Sequence, residues 1–182
     1  MMIAEFMRDG ARSLPTHPTP SEVTALRVWH CKYKSLEGLS DFVNLKTLVI
    51  ATYPDTDLAP LTGLSTLEYL SIVHLPKVSD LAPLSQLQEL NTIRLHTLPS
   101  WDSSGRHTTV RSLAPLAVLP GLAHLELFGV LPEDSTLDDL ENCPSLESIR
   151  VSKYPEGEAD RFYQRSGLTN SFAPSPDVPG WT

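Results

Sequence analysis

The chain contains 182 residues, of which 41% are apolar and 20% are charged, and its formal net charge is −8. This length and composition are typical of one globular domain. The negative charge disfavours general nucleic-acid binding, because phosphate contacts require clustered lysine and arginine residues. No apolar stretch approaches the ~20 residues that span a bilayer. We therefore expect neither a nucleic-acid nor a membrane partner.

Residues 1–22 are predicted to form an N-terminal cap or an extended leader. Ile3, Phe6 and Met7 are expected to cover one end of an apolar core. Glu5 and Asp9 interrupt this apolar run before it reaches the length of a signal-peptide core.

From Val23 to Val151 an apolar frame, L-x-x-L-x-L, occurs six times, at steps of 22, 22, 23, 32 and 24 residues. The frames are Val23/Leu26/Val28, Leu45/Leu48/Ile50, Leu67/Leu70/Ile72, Leu90/Ile93/Leu95, Leu122/Leu125/Leu127 and Leu146/Ile149/Val151. A fixed period of this size is typical of a solenoid, whose units bury their apolar sides against their neighbours. The sequence thus predicts a solenoid of six coils over residues 23–154.

Each unit divides into a strand and a return turn. The last two apolar residues of a frame have period two, which predicts a short parallel strand. In the return half, apolar residues three apart, such as Leu58, Leu61 and Leu64, predict one 3₁₀ or helical turn. A residue suited to capping this turn precedes each triplet. These residues are Ser35, Asp57, Asp80, Ser112 and Thr136.

The segment DLAPLTGLSTLEYLSI at residues 57–72, echoed by DLAPLSQLQELNTIRL at residues 80–95, resembles the 22-residue leucine-rich repeats of the bacterial internalins. The resemblance covers roughly residues 23–154. It implies a right-handed α/β solenoid with a parallel sheet on the concave face and short 3₁₀ or helical turns on the convex face. The repeats lack the family's usual ninth-position asparagine, so apolar packing is expected to replace its backbone ladder.

Two cysteines, Cys31 and Cys143, occupy inward positions in the first and fifth coils. Four strand steps of ~4.8 Å would separate them by about 19 Å, beyond the reach of a disulfide. Two buried, reduced thiols favour a cytoplasmic protein, and the resemblance to internalin repeats implies a bacterial one. A secreted form or a lipoprotein whose leader is missing remains an alternative.

The C-terminal region is predicted to contain a capping helix and a tail. Residues 155–168 place Phe162 and Tyr163 on one helix face, and Gly167 follows the last turn as a C-cap. These aromatic rings would cover the last coil, as solenoids require. Residues 169–182 contain three prolines and little periodicity, which predicts a loosely held tail.

The outward strand positions form columns across the sheet, and they carry the candidate partner-binding residues. One column reads Arg27, Val49, Ser71, Arg94, Glu126, Arg150. Aromatic and arginine side chains are enriched at binding hot spots. The predicted partner-binding residues are Arg27, Trp29, Tyr69, Val73, Arg94, His96, Trp101, His124, Glu126, Phe128 and Arg150. An alternative is that exposed aromatic residues only reflect β-propensity.

Within this column Glu126 is flanked by Arg94 and Arg150 on neighbouring strands. It either orients the two arginines toward an acidic partner or forms an exposed charge ladder of little energetic value.

Four histidines, His30, His74, His96 and His124, also lie on the strand face. No pair has zinc-ligand spacing, and solvated or partner-contacting histidines are the favoured interpretation. We find no motif for a catalytic nucleophile or a phosphate loop. The sequence therefore predicts no metal, no cofactor and no small-molecule substrate.

The step of 32 residues contains an insertion between Pro99 and Val110. Insertions in one repeat form rim loops that often carry function. It contains Trp101, Asp102, Arg106 and His107. The alternative is a tolerated, mobile loop.

These features together predict a non-catalytic module that binds a protein partner through the concave strand face and the 99–110 loop. A regulator or immunity-type inhibitor of an enzyme is one alternative, and an enzyme with a histidine-lined groove is another. The identity of the partner is not encoded in any recognisable motif.

Overall fold

The computed structural model describes residues 1–181. Its strands are β1 Met2–Met7, β2 Val23–Trp29, β3 Thr47–Ala51, β4 Tyr69–Val73, β5 Thr92–His96, β6 Thr108–Val110, β7 His124–Phe128, β8 Val130–Pro132 and β9 Ser148–Ser152. Its α-helices are α1 Pro99–Ser103, α2 Ala114–Ala117 and α3 Glu158–Ser166. Short 3₁₀ helices span Pro20–Glu22, Glu37–Asp41, Ala59–Leu61, Ala82–Gln86 and Asp138–Leu140.

Seven parallel strands form one sheet in the order β1-β2-β3-β4-β5-β7-β9, and β6 pairs with β8 in a second sheet. Each predicted frame supplies one strand of the large sheet, and the turns that return between them are 3₁₀ or single-turn helices. The six residues of the predicted column from Arg27 to Arg150 are directly paired in register. The solenoid fold predicted from the repeats is therefore confirmed.

The N-terminal segment is a seventh strand, which the repeat pattern did not predict. In β1, Ala4 pairs with Leu26 and Glu5 pairs with Arg27. Period two places Ala4 on the core side with an exposed fraction of 6%, whereas Ile3 and Met7 are 40% and 46% exposed. Of the three residues predicted to cover the core, Phe6 packs against it, whereas Ile3 and Met7 lie on the opposite side of the strand, so the prediction is wrong for these two.

The main core lies between the sheet and the convex turns, and it is built from the leucines of the frames and the triplets. All five predicted capping side chains accept a hydrogen bond from the amide two residues later, as when Asp57 Oδ1 accepts from Ala59 N at 2.9 Å. In three coils, a leucine backbone amide also donates a hydrogen bond to a carboxylate of the following part of the chain. The pairs are Leu36 with Asp55, Leu113 with Asp139, and Leu137 with Glu158. These bonds join neighbouring coils where the asparagine ladder is missing.

Helix α3 covers the last coil. Phe162 is fully buried in the main core, and Tyr163 Oη donates a hydrogen bond to Ile149 O at 2.8 Å. Gly167 ends the helix with a φ of 69°, a left-handed conformation that favours glycine.

Candidate functional site

The C-terminal tail lies across the concave face, here defined as the outward side of strands β1 to β9 in the large sheet. The sequence predicts a loosely held tail, but Ala173, Val178 and Trp181 are less than a tenth exposed in the structure. The tail is docked through its side chains, which a proline-containing segment can do without joining a strand ladder. The predicted binding face is thus partly covered by the chain itself.

Trp181 anchors the end of this tail. Together with Val178 it packs on Ala25, Val49 and Tyr69 in a second apolar cluster, separate from the main core. Trp181 Nε1 donates a hydrogen bond to Glu5 Oε1 at 3.1 Å. The guanidinium of Arg27, which pairs with Glu5, lies 5.0 Å from the indole centroid. A cation held over an indole face gains further attraction from the ring quadrupole.

Glu126 anchors the other end of the tail. Its side chain has no exposed surface, and it accepts hydrogen bonds from Arg94 Nε at 2.8 Å and from Ala173 N at 2.8 Å. His96 Nε2 lies 2.7 Å from the same carboxylate and must donate, because a carboxylate only accepts. Arg94 Nη1 also donates to Tyr69 Oη at 3.1 Å. This network satisfies a buried charge on β7, the sixth of the seven strands of the large sheet.

The pKa of the Glu126 carboxyl lies below its ordinary value. Burial alone would raise this pKa, but the hydrogen bonds from His96 and Arg94 and the charge of Arg94 outweigh burial. The carboxylate is therefore ionised at neutral pH.

The predicted charge ladder exists only in part. Arg150 pairs with Glu126 in strand register, but its guanidinium lies 4.0 Å from the centroid of Phe172 in the tail. Glu126 is instead bonded to Arg94 and His96. The hypothesis that Glu126 orients two arginines is wrong, because the tail offers Arg150 an aromatic ring.

An open cleft of about 430 Å³ remains between the carboxyl ends of β5, β7 and β9, the insertion and the tail. The rings of His96 and Phe128 stack in it with centroids 4.6 Å apart. Phe172 meets Phe128 edge-to-face at 6.1 Å and keeps 61% of its surface exposed. Pro99 and Asp102 of the insertion line the same cleft. We call this aromatic cavity the rim cleft.

The 99–110 insertion contains regular secondary structure and lies at this rim. It forms α1 and β6, and the Trp101 ring meets His74 edge-to-face at 4.8 Å. Lys153 Nζ lies 3.5 Å from Asp102 Oδ1. Thr108 is buried where β6 pairs with β8. The insertion therefore contacts both the third and the sixth predicted coils.

Comparison with solved structures places this arrangement in a known fold. Internalin C2 from Listeria monocytogenes str. 4b F2365 is 26% identical over 72% of this chain and 53% of its own length, with a TM-score of 0.57. The fold is a leucine-rich repeat solenoid of the internalin type. A further internalin from the same strain is 20% identical over 72% of this chain and 42% of its own length, with a TM-score of 0.43.

The present chain spans about half the length of internalin C2. Neither protein-family models nor curated proteins give a match to its sequence.

The predicted site residues of this leucine-rich repeat solenoid fall into two groups. Those around the Trp181 end of the tail are Arg27, Trp29, Tyr69 and Arg94. Those around the rim cleft and the insertion are His96, Phe128, Arg150 and Trp101. Val73 stays partly exposed, and His124 Nδ1 lies 2.8 Å from Ser148 Oγ, outside both groups. Glu126 joins the groups because Arg94 and His96 both contact it.

Histidines on the concave side do not gather into a metal centre. Within residues 1–181, no three His, Cys, Asp or Glu side chains are arranged to hold a metal ion. The two cysteines are free and half-buried rather than fully buried as predicted. Burial raises the pKa of the Cys143 thiol. Among the described residues, no helix is both long and apolar enough to cross a membrane.

Most cations of the concave face have carboxylate partners. Arg27, Arg94 and Lys153 each pair with a carboxylate. Four other cations line a separate cleft of about 510 Å³ beside the first coils, and none pairs with a carboxylate within the described chain. They are Arg12, Lys32, Lys34 and Lys77.

The lowered pKa of Glu126 predicts a specific pH dependence of stability. A carboxyl whose folded pKa is depressed stabilises the fold above its unfolded pKa, and this stabilisation is lost as pH falls through the folded pKa. Between pH 6 and pH 3, the wild-type unfolding free energy should therefore fall more steeply than that of Glu126→Gln, which cannot titrate at this position. Urea unfolding of both proteins at several pH values measures this difference. Parallel pH profiles would contradict the assignment.

Proposed function

We propose that the protein is a non-catalytic protein-binding module, whose partner contacts the concave face at the rim cleft and the insertion. The rim cleft carries this proposal. It combines the stacked rings of His96 and Phe128 with an exposed Phe172 and the Arg150 guanidinium, and phenylalanine and arginine are enriched at protein interfaces. The internalin-type solenoid supports protein binding as the general class of function.

The size of the concave face supports a role for the insertion. Six strand steps of ~4.8 Å and five residues of ~3.3 Å give a face of about 500 Å² in projection. A standard protein interface buries about 800 Å² on each partner. The strands alone therefore offer too little area for a standard interface. The insertion is the neighbouring element that extends the surface.

Replacing residues 100–107 with a short Gly/Ser turn should weaken partner binding at least tenfold, or about 1.4 kcal/mol. Strand β6 is retained, so that its pairing with β8 and the buried Thr108 remain. The melting temperature should change little, because Trp101 and Asp102 make their contacts at the surface. The partner is first recovered from the native host by pull-down, and titration calorimetry then compares the two proteins.

Val118→Ala is the matched control, because this side chain is 63% exposed on the convex side. It should leave the affinity unchanged. Equal affinity of the wild type and the folded loop variant would move the binding site away from the insertion. An activity assay on the recovered partner then tests whether binding inhibits an enzyme.

We also propose that the protein works in the cytoplasm. The two free cysteines support this location, since reduced thiols persist in reducing compartments.

A further inference from the structure

The tail is attached to the concave face at its two ends. Near one end, Ala173 N donates to Glu126, and at the other end Val178 and Trp181 enter the second apolar cluster. Between residues 170 and 181, the hydrogen bond to Glu126 is the one described backbone contact with the repeats. The remaining backbone bonds of this stretch are local turns, as from Trp181 N to Val178 O.

In the middle of the tail, Pro174, Ser175 and Asp177 are exposed, whereas Pro176 is buried near Trp181. The three exposed residues line a cleft of about 530 Å³ together with strand residues such as Tyr69 and Thr92. Glu68 and Glu89 line the same cleft, so that Asp177 shares it with two further carboxylates. Lys46 pairs with Glu68 at 2.6 Å, whereas Glu89 has no ion-pair partner in the described chain. Repulsion between Asp177 and these two carboxylates disfavours the docked state of the tail.

The repeats do not need the tail for their own core. The main core contains residues from Ala4 to Phe162 but none from residues 170–181. The tail contributes to the second apolar cluster on the opposite side of the sheet. Releasing it would expose that small cluster and leave the packing of the coils intact. In this respect the tail contacts the repeats as a bound peptide would.

We propose that the concave face is a groove for an extended, proline-containing protein segment, and that residues 172–181 are its built-in, displaceable occupant. A partner segment would place one aromatic ring beside Phe128 and Arg150 and another between Arg27 and Tyr69. A positively charged residue between them would meet Glu68 and Glu89, where the tail has Asp177. This inference rests on the proposed protein-binding function and specifies how the partner is recognised.

Competition by the tethered tail should be measurable. Short tethers give effective concentrations on the order of 1 mM. A tail that binds with a Kd of about 10 to 100 µM in trans would therefore weaken a competing segment by about ten- to a hundredfold. A partner must bind the groove tightly enough to displace the tail, so the tail excludes weak ligands.

The test uses a fluorescently labelled peptide with the sequence of residues 171–181, SFAPSPDVPGW, and full-length proteins. In the variant Val178→Asp/Trp181→Ala, the tail is expected to leave the groove. Fluorescence anisotropy should show that the peptide binds this variant at least tenfold more tightly than it binds the wild type. Val118→Asp, a charge placed on the convex side, should behave as the wild type.

Two altered peptides test the chemistry of the groove. A peptide carrying Trp181→Ala should lose binding to the double variant. A peptide carrying Asp177→Lys should bind about two- to fivefold more tightly, the range typical of exposed ion pairs. Weaker or equal binding of the lysine peptide would overturn the proposed charge preference.

Equal binding of the native peptide to the wild type and the double variant, or no binding to either, would overturn the inference. So would a wild-type dimer that exchanges tails, which light scattering would detect. Circular dichroism establishes that the double variant is folded, and the single variant Trp181→Ala replaces it if it is not. Peptide binding without any recoverable partner would support the groove and contradict the proposed function, so the two failures are distinguishable.

Discussion

Arg94→Met is expected to lower the unfolding free energy by about 3 kcal/mol, because it leaves the Glu126 carboxylate buried with one charged partner fewer. Glu126 has no exposed side-chain surface and lies 2.8 Å from Arg94 Nε. The same change removes the donor to Tyr69 Oη. Urea or guanidinium unfolding at pH 7 measures the loss.

Arg150→Met is the matched control, because Arg150 occupies the same column and stacks on the exposed ring of Phe172. Its loss should cost less than about 1 kcal/mol, as is typical of surface substitutions. The double variant Arg94→Met/Glu126→Gln should recover part of the loss, because no uncompensated charge remains. Equal effects of the two arginine substitutions would show that Glu126 is not a buried, paired charge.

Leu70→Ala should cost about 2 to 5 kcal/mol by opening a cavity in a central coil. Leu70 is fully buried and pairs in register with Leu48 and Ile93 on the neighbouring strands. Adjacent coils stabilise one another in a solenoid, so the cavity weakens the interfaces on both sides. The control Val118→Ala should change stability by less than about 0.5 kcal/mol. A loss below about 1 kcal/mol for Leu70→Ala would contradict the core assignment.

The repeated coils could be predicted from the sequence because their signals are local and periodic. The spacing of Leu48 and Ile50, repeated in each unit, fixes a strand and its inward face. Register then follows, since each step of about 22 residues returns the chain to the same position in the next coil. The capping residues were predictable for a similar reason, because a side chain such as Asp80 bonds an amide two residues away.

Strand β1 and the docked tail could not be predicted in this way. The first strand is short, lacks the repeated frame and has exposed Ile3 and Met7 where the pattern suggested core residues. Trp181 lies in a proline-containing segment without periodicity, and its site is assembled from β1, β2, β3 and β4. Such a contact depends on tertiary geometry, which sequence spacing does not encode. The one sequence signal for a docked tail was Trp181, an isolated tryptophan near the end of the sequence.

The register of the candidate site residues could be predicted from the sequence, but the burial and the partners of their side chains could not. The column from Arg27 to Arg150 was placed correctly, whereas the burial of Glu126 depends on the tail that covers it. Arg150 was expected to meet Glu126 because the two residues are neighbours in register. The competing aromatic ring of Phe172 comes from a segment 22 residues farther along the chain.

The docked tail is tested most directly by nuclear magnetic resonance of the full-length protein. If residues 172–181 occupy the concave face, the Trp181 indole should give nuclear Overhauser effects to the Val49 methyl groups and the Tyr69 ring, with which it packs. Its Nε1 proton should also show slowed solvent exchange because it donates to Glu5. Random-coil shifts and fast solvent exchange for Trp181, in a spectrum whose leucine methyl groups are well dispersed, would contradict a covered concave face.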